Sequence, residues 1–396
     1  MILTIVFILL TLAAAILLVV ALIRVLIVLI NKARGRSAEK STRGLKRTAV
    51  VLAVVLLLNV GLVVGSQLTA STPPIRDENG RIPEGSIAEL TRVELNDREE
   101  WITIRGWDST KPVLLFLAGG PGGTQLAAAR YELAELEKYF VVVGWDQPGS
   151  GKSYYAGNTA DITPETYIED GYALTEYLCD RFGQEKIYLV GESWGSALGI
   201  FLIDRYPDSY HAFIGTGQMI DFVETERTDY ETAWEIAQER GDTAILDKLG
   251  KNGQPPYYGE DVTWKSAVYL NYLSSCMASN PAIANPGYNT LRDLFSPEYG
   301  LLDKINYVWG VIDTFNRVYP QLYGINLRTD YTQLQVPVYF FLGRYDLNAP
   351  TAFVEEYAQV LEAPAAQIVW FEHSGHSPWI NEREQFVTEL LNCFGV

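Results

Sequence analysis

The sequence predicts an α/β fold with a mostly parallel sheet and an inserted cap, preceded by a hairpin of two transmembrane helices. Short apolar runs alternate with helical patterns from Ile87 onward, which is typical of parallel strands connected by helices. A block over residues 218–335 interrupts this alternation. Two long apolar runs, separated by a basic segment, lie before Ser66. The chain therefore divides into a membrane hairpin, a linker, and a core that the cap interrupts.

Composition excludes several classes of protein. The chain has 396 residues, of which 48% are hydrophobic, so it is too apolar for a disordered protein. Its three cysteines form no C-x-x-C pair, which excludes a disulfide-stapled scaffold and a thiolate zinc ribbon. The net charge of −17 argues against nucleic-acid binding, and three histidines offer little material for a histidine-rich metal site. We therefore expect no nucleic-acid partner, no metal and no cofactor, while the oligomeric state stays open.

Residues 1–66 are predicted to form a transmembrane hairpin. The first run carries no charge over residues 1–23, which is long enough to span a bilayer, and it continues past Arg24 to Ile30. The second run, residues 49–65, has 17 residues and is interrupted only by Asn59. Seven Lys and Arg, against Glu39 alone, lie between the runs, and the positive-inside rule assigns this loop to the cytoplasm. The remainder of the chain is then expected outside the cytoplasm.

Two alternatives stay open for this region. A secretory signal peptide is disfavoured, because no basic stretch precedes the first run and that run exceeds the ~7–15 apolar residues of a signal. Cleavage after the second run is the main rival of an uncleaved anchor. After Gly65 the chain holds 23 Lys and Arg against 47 Asp and Glu, a net charge of −24. An acidic domain of this kind is repelled by an anionic membrane surface and attracts cations.

Residues 67–84 are predicted to form a polar linker, and residues 85–217 and 336–396 a core of strands and helices. Continuous apolar runs in this core are typical of strands buried on both faces. The predicted strands are 87–95, 100–107, 113–117, 140–143, 187–190, 211–214, 336–342 and 368–371. The predicted helices are 125–138, 167–182, 196–205, 352–361 and 381–393.

Residues 218–335 are predicted to form a cap domain. An insertion of this length in an α/β sheet usually covers the site. The block begins with acidic, helix-like segments and is rich in Trp and Tyr. A helical subdomain packed elsewhere is the alternative, because aromatic residues fill cores more often than they line pockets.

A serine motif follows one of the predicted strands. Residues 191–195, Gly-Glu-Ser-Trp-Gly, match G-x-S-x-G and lie between strand 187–190 and a helix start rich in small residues. A turn of this kind is strained and lifts the Ser193 hydroxyl above the sheet edge, at a helix N-terminus that favours negative charge. Ser193 is therefore the predicted nucleophile.

An acid and a base are expected further along the chain. In this fold the order is Ser, then Asp or Glu, then His. Asp346 follows strand 336–342 and is the predicted acid. His373 and His376 both follow the last strand. His376 lies farther beyond the end of that strand and follows a glycine, which favours it as the base. His373 would then support that loop.

A glycine-rich turn over residues 118–123 follows strand 113–117. A turn at this place lets backbone N–H groups face the reacting carbonyl oxygen. We predict an oxyanion hole from the N–H groups of Gly120 and Trp194, with Gly119 close to the substrate. A simple flexible turn is the alternative, and the position after the third strand disfavours it.

Five motifs together resemble the proline iminopeptidase family of serine peptidases. They are residues 118–122, 146–153, 191–195, 343–346 and 374–376, and the resemblance covers about residues 83–396. It implies an α/β-hydrolase fold with a helical cap, and it implies Ser193, Asp346 and His376 as nucleophile, acid and base. The implied activity is the removal of an N-terminal residue, often proline, from short peptides.

An enzyme of this kind must bind the ammonium group of its substrate and exclude long chains. Carboxylates in a cap over the nucleophile would do both. Glu224 and Glu226, just after the start of the cap, are the candidate substrate-binding residues, and a solvated acidic helix face is the alternative for either. An esterase or lipase on the same scaffold, and a non-catalytic sensor that binds a ligand under the cap, are the competing functions.

Overall fold

The computed structural model describes residues 2–396, and it confirms the predicted α/β fold with a mostly parallel sheet. The strands are β1 Ile87–Leu95, β2 Arg98–Gly106, β3 Val113–Leu117, β4 Val141–Asp146, β5 Ile187–Glu192, β6 Tyr210–Thr216, β7 Val338–Gly343 and β8 Ala366–Phe371. The helices are α1 Ile2–Ala33, α2 Glu39–Leu68, α3 Leu126–Glu132, α4 Pro164–Phe182, α5 Trp194–Arg205, α6 Phe222–Arg240, α7 Thr243–Asn252, α8 Val262–Ala278, α9 Thr290–Leu294, α10 Leu301–Val318, α11 Leu327–Asp330, α12 Thr351–Val360, α13 Pro378–Asn381 and α14 Arg383–Phe394.

The eight strands form one sheet in the order β1-β2-β4-β3-β5-β6-β7-β8. β1 pairs with β2 and β2 with β4 in antiparallel register, and all other neighbours are parallel. The tight turn between β1 and β2 places Asn96 and Asp97 at φ 45° and 66°, as a two-residue hairpin requires. Because β5, β7 and β8 run in the same direction, their carboxyl ends meet at one edge of the sheet.

Helices cover both faces of the sheet. In β3 all five residues are buried, and successive side chains belong to two different apolar clusters. Leu115 packs in the cluster that includes residues of α4 and α5, whereas Phe116 packs in the cluster that includes residues of α3 and α14. A strand buried on both faces has a continuous apolar sequence, which is why this strand is recognisable from the sequence.

One predicted helix is divided in the structure, and another is preceded by a separate short helix. The segment predicted over 125–138 ends its α-helix at Glu132 and continues as a 3₁₀ helix over Ala134–Lys138. This change of geometry leaves both Leu133 and Leu136 fully buried. In the C-terminal segment Pro378 begins α13, and Glu382, at φ −126° and ψ 51°, separates it from α14.

Helices α6–α11 lie between β6 and β7 in the chain, within the predicted cap. The side chain of Asp221 accepts a hydrogen bond from the backbone N–H of Glu224 at 2.8 Å and thereby caps α6. Gly241 ends this helix in the left-handed conformation, at φ 69°. Thr263 of α8 donates its backbone N–H to the side chain of Asn316 of α10 at 2.7 Å, which ties these two helices together.

The chain separates into two compact units. The first consists of the N-terminal segment through Ala70 together with Tyr299–Lys304. Within it, α1 and α2 are both long and apolar enough to cross a membrane. The side chain of Ser66 accepts the backbone N–H of Leu301 at 2.9 Å, and Gln67 donates to Asp303 at 2.8 Å. These contacts explain why a short segment of the predicted cap groups with the hairpin.

The second unit consists of Ser71–Glu298 and Ile305–Val396. Part of the predicted polar linker belongs to it and is buried, because Thr72 and Ile75 are 6% and 5% exposed. The hydroxyl of Thr72 donates to Glu298 at 2.9 Å and accepts from Arg105 at 2.7 Å. From Thr72 onward the chain therefore packs within the second unit and is not an extended linker in solvent.

Candidate active site

The turn between β5 and α5 holds Ser193 in a strained conformation. Ser193 has φ 54° and ψ −119°, a region that residues with a side chain rarely occupy. It follows the last residue of β5 and directly precedes the first residue of α5. The sequence pattern predicts this strand–turn–helix arrangement, which exposes the serine hydroxyl at the carboxyl edge of the sheet.

The two flanking glycines are required by close backbone approach. A Cβ atom on Gly191 would lie 2.2 Å from the carbonyl oxygen of Gly195. A Cβ atom on Gly195 would lie 2.1 Å from the carbonyl oxygen of Leu117. Any larger residue at either position would force the turn open, so the G-x-S-x-G pattern reports steric packing as well as chemistry.

Asp346 and His376 are brought together by the ends of β7 and β8. Nδ1 of His376 lies 3.1 and 3.0 Å from the two carboxylate oxygens of Asp346. Asp346 also accepts the backbone N–H groups of Asn348 and Ala349, at 2.8 and 3.0 Å, which fix its orientation. An imidazole held at Nδ1 by a carboxylate presents Nε2 to a proton donor, as the base of a serine nucleophile does.

The charge environment of His376 favours its protonated form. Burial opposes protonation, but the carboxylates of Asp346 and Glu192 outweigh it and raise the pKa of His376 to about 9. The alternative base, His373, is exposed, and its Nδ1 lies 3.1 Å from the carbonyl oxygen of Ala282. The structure thus joins His376, and not His373, to the predicted acid.

Ser193 and His376 line one cavity of about 130 Å³, together with both predicted oxyanion donors, Gly120 and Trp194. Gly119 does not line it, and its N–H donates to the side chain of Gln125 at 3.2 Å. The Gly119 N–H is therefore engaged, whereas Gly120 and Trp194, the two predicted oxyanion donors, line the cavity.

Residues of the cap supply most of the remaining wall. The apolar side chains are those of Met219, Phe222, Leu270, Phe315 and Tyr319. Among them stands one carboxylate, Asp229, which is 1% exposed. Both of its oxygens are buried, and neither has a hydrogen-bond partner among the described residues. Burial, followed by the charges of Glu226 and Asp346, raises the pKa of Asp229 well above its ordinary value.

The two glutamates that the sequence suggested for substrate binding lie elsewhere. Glu224 is on the outer surface, where it forms an ion pair with Arg328. Glu226 is buried behind the cavity wall, where Tyr269 and Ser266 donate hydrogen bonds to it. Burial outweighs these bonds and raises the pKa of Glu226 to about 7. Neither residue lines the cavity of Ser193, so their prediction as substrate-binding residues does not fit the structure, whereas Asp229 does line this cavity.

Helical periodicity could have identified Asp229. Phe222 begins α6, and the buried positions that follow it include 226, 229 and 233, which share one face of the helix. Glu224 is two residues after Phe222 and points to the other face. The position of Glu224 near the start of the cap is a weaker indication of a cavity-lining residue than the helical spacing of Asp229.

Glu192, inside the serine motif, was also missed. It is 2% exposed, and its Oε1 accepts hydrogen bonds from Ser377 at 2.5 Å and from Trp379 at 2.8 Å. Its Oε2 accepts from Gln125 and from Tyr288 of the cap. Charged residues are almost never fully buried unless they are paired. A glutamate at the end of an otherwise apolar strand therefore indicates buried hydrogen-bond partners, and this was the signal available in the sequence.

No cluster of three or more His, Cys, Asp or Glu that could hold a metal ion occurs in residues 2–396. The site consists instead of a serine, a histidine held by a carboxylate, backbone donors at a helix N-terminus and a buried carboxylate. Such a set can support acyl transfer to a serine, with an oxyanion held by N–H groups.

Comparisons with known proteins agree with this geometry. The model of the α/β-hydrolase fold family matches residues 112–255. The probable aminopeptidase YbaC of Bacillus subtilis (strain 168) is 32% identical over 317 residues, which are 78% of this chain and 97% of that protein. A proline iminopeptidase of Lactobacillus helveticus (strain DPC 4571) is 33% identical over 118 residues, 29% of this chain and 39% of that protein.

Solved structures show the same fold at lower identity. The proline iminopeptidase of Mycobacterium smegmatis has a TM-score of 0.55 at 18% identity, covering 77% of this chain and 97% of that one. A proline iminopeptidase-related protein from Thermus thermophilus has a TM-score of 0.54 at 20% identity, covering 78% and 98%. These two structures show the fold, and the relative from Bacillus subtilis establishes the family. The chain belongs to the α/β-hydrolases, in the family of this probable aminopeptidase.

Proposed function

We propose that this protein is a membrane-anchored serine aminopeptidase that removes the N-terminal residue of short peptides through an acyl-enzyme. The residues assigned to the chemistry are Ser193 as nucleophile, His376 as base and Asp346 as the acid that orients it. Gly120 and Trp194 supply the oxyanion hole. The relatives named as aminopeptidase and proline iminopeptidase support the peptidase activity.

One observation carries the preference for a free N-terminus, namely the unpartnered carboxylate of Asp229 in the cavity of Ser193. A buried carboxylate without a donor is costly, and an ammonium group would supply charge-assisted hydrogen bonds to it. The N-terminal amine of a peptide is such a group. Burial and the neighbouring Glu226 raise the pKa of Asp229, and a bound ammonium group would lower it again, so the ionised carboxylate forms together with the ion pair.

The size and lining of the cavity support the release of a single residue. About 130 Å³ is little room beyond one side chain, and Asp229 lies in the wall of this small space. The apolar wall, with Phe222, Phe315 and Tyr319, suits an apolar residue such as proline. We therefore assign this cavity to the N-terminal residue of the substrate.

The mechanism follows from the positions of these groups. His376 takes the proton of the Ser193 hydroxyl as the oxygen attacks the carbonyl carbon of the first residue. The N–H groups of Gly120 and Trp194 stabilise the oxyanion that forms. His376 then gives the proton to the departing nitrogen, the C–N bond breaks, and an ester between Ser193 and the first residue remains. A water molecule, activated by the same imidazole, hydrolyses this ester and regenerates the serine.

The N-terminal helices support the anchored state. Residues of α1 and α2 include many exposed apolar side chains, among them Leu9, Leu57 and Val60. Seven Lys and Arg lie between the two apolar runs, and the positive-inside rule assigns them to the cytoplasm. The hydrolase unit, which follows the second helix, is then outside the cytoplasm, where it would meet peptides from the surroundings.

A pair of substrates tests the activity. A dipeptide with a free N-terminal proline and its N-acetyl derivative differ in the amine that Asp229 is proposed to bind. We expect kcat/KM to be at least about 30-fold higher for the free amine, because a buried charge pair is lost on acetylation. Equal rates on acetylated peptides or neutral esters would favour an esterase, and absence of labelling by a fluorophosphonate would favour a non-catalytic sensor.

A further inference from the structure

A second cavity, of about 460 Å³, shares His376 and Asn348 with the cavity of Ser193. Ser193, Gly120 and Trp194 line only the smaller cavity. The larger one lies among the C-terminal half of α8, the loop that follows α8, and the segment after β8. The two spaces therefore meet at the proposed base, and the nucleophile belongs to one of them.

Proton transfer indicates what the larger cavity is for. The imidazole that takes the serine proton later donates it to the nitrogen of the leaving amine, so this nitrogen must lie against His376. With the N-terminal residue in the smaller cavity and its amine at Asp229, the rest of the substrate has to extend past His376. The larger cavity also borders His376 and has the room to receive it.

Apart from His376, the lining of the larger cavity is uncharged. Within residues 2–396, no Lys, Arg, Asp or Glu contributes to it. Asn271, Ser274 and Ser275 present amide and hydroxyl groups, and Met277 and Ile283 add apolar surface. Such a lining fits the backbone amides and small side chains of an uncharged peptide, and it gives a charged side chain no partner.

Asn348 stands where the two cavities meet and is held from two directions. Its backbone N–H donates to Asp346 at 2.8 Å, and its Nδ2 donates to the hydroxyl of Ser274 at 3.0 Å. Its Oδ1 is buried and has no hydrogen-bond partner among the described residues. A buried acceptor without a partner is unfavourable until a ligand supplies a donor.

We propose that the larger cavity is the leaving-group subsite, which binds the uncharged peptide following the scissile bond, with Asn348 Oδ1 accepting a backbone N–H of that peptide. The proposal rests on the aminopeptidase function proposed above. When the C–N bond breaks, the nitrogen receives its proton from His376, and the released peptide leaves this cavity with a new free amine.

Two substrates with the same N-terminal proline test the proposal, a methyl ester and the tripeptide Pro-Ala-Ala. The ester releases methanol, which does not fill the larger cavity, whereas the tripeptide releases a dipeptide. Ala278 is exposed and lines the cavity, so Ala278→Trp should lower the ratio of kcat/KM for tripeptide over ester about tenfold or more. Ala284, which is exposed in the following loop but outside the lining, provides the control, and Ala284→Trp should leave the ratio as in the wild type.

Two further variants separate the role of Asn348 from a general effect on folding. Asn348→Ala removes the free acceptor and should lower the same ratio about tenfold, whereas Ser274→Ala keeps that acceptor and should lower it less. The rate of fluorophosphonate labelling verifies that Ser193 and His376 remain assembled. If Ala278→Trp and Asn348→Ala reduce ester and tripeptide hydrolysis by equal factors, the larger cavity does not hold the leaving peptide.

The same measurements on N-acetylated substrates distinguish the two proposals. If acetylated and free-amine substrates are cleaved equally well, the aminopeptidase function is overturned. The ratio of long to short leaving groups in the acetylated series then still reports on the larger cavity. A substrate with Lys or Asp after the scissile bond should be cleaved more slowly than one with Ala, and equal rates would contradict the neutral subsite.

Discussion

The hydroxyl of Ser377 lies 2.5 Å from Oε1 of Glu192, which joins the residue after His376 to the residue before Ser193. The other carboxylate oxygen of Glu192 accepts from Gln125, whose side chain also holds the N–H of Gly119. One buried carboxylate thus connects the serine turn, the histidine segment and the glycine-rich turn. Its charge also contributes to the raised pKa of His376.

Replacing Glu192 by Gln should move the acid limb of the pH profile of kcat/KM to lower pH. His376 acts as a base only when it is neutral, so activity rises as pH approaches its pKa of about 9. Loss of the nearby negative charge lowers that pKa, by about one pH unit for a neighbour of this kind. The measurement is the pH dependence of kcat/KM for both proteins at constant ionic strength.

Ser377→Ala is the matched control for this prediction. It removes the hydrogen bond to Glu192 and keeps the charge, so the position of the acid limb should stay close to that of the wild type even if the rate falls. An acid limb that moves equally in both variants would mean that the geometry of the loop, and not the charge of Glu192, controls the titration.

Ser193→Ala should abolish turnover while the protein stays folded, because the hydroxyl forms the covalent intermediate and the residue lies on a turn at the sheet edge. His376→Ala should reduce kcat by a similar factor, several orders of magnitude, since the groups act as a unit. His373→Ala should retain most of the activity. In residues 2–396, the one hydrogen bond of the His373 ring joins it to the carbonyl oxygen of Ala282, away from Asp346. Loss of activity in His373→Ala with a nearly active His376→Ala would reverse the assignment of the base.

The fold and the positions of Ser193, Asp346 and His376 at strand ends could be predicted, because each depends on a local sequence pattern. Buried parallel strands produce continuous apolar runs, and Ser193, Asp346 and His376 each follow such a run. The ends of these strands then meet through the parallel register of the sheet. No contact with the inserted cap is needed to deduce this part of the site.

The residues that line the cavity beside Ser193 depend on how the cap packs, and proximity to the start of the cap does not determine that packing. Asp229 and Glu224 lie on the same helix five residues apart, yet one is buried at the cavity and the other pairs with Arg328 on the surface. Which face of α6 turns inward is decided by its packing against α8, through contacts such as that between the rings of Tyr230 and Tyr269. Asn348 likewise acquires its position from Ser274, which is 74 residues away in the chain.

The orientation in the membrane gives a separate prediction. External protease added to intact cells should digest the hydrolase unit, because the positive-inside rule assigns the basic loop to the cytoplasm. An epitope inserted into the turn at residues 34–38 should resist the protease until the cells are permeabilised. Replacing the seven Lys and Arg between the apolar runs by Gln should weaken this preference. Protection of the hydrolase unit in intact cells would contradict the proposed topology.

Asp229→Asn should impair hydrolysis of free-amine peptides and spare hydrolysis of N-acetylated ones. The carboxylate is buried without a partner in residues 2–396, so its loss removes the charge-assisted bonds to the substrate ammonium, about 2–4 kcal/mol or roughly 30- to 900-fold in kcat/KM. Glu224→Gln changes the same helix by one charge at the surface and should alter neither rate appreciably. Added salt should weaken only the long-range attraction of the acidic unit for a cationic substrate, and should leave the difference between Asp229→Asn and the wild type nearly constant. If Asp229→Asn lowers both rates equally, Asp229 supports the cavity wall and does not recognise the amine.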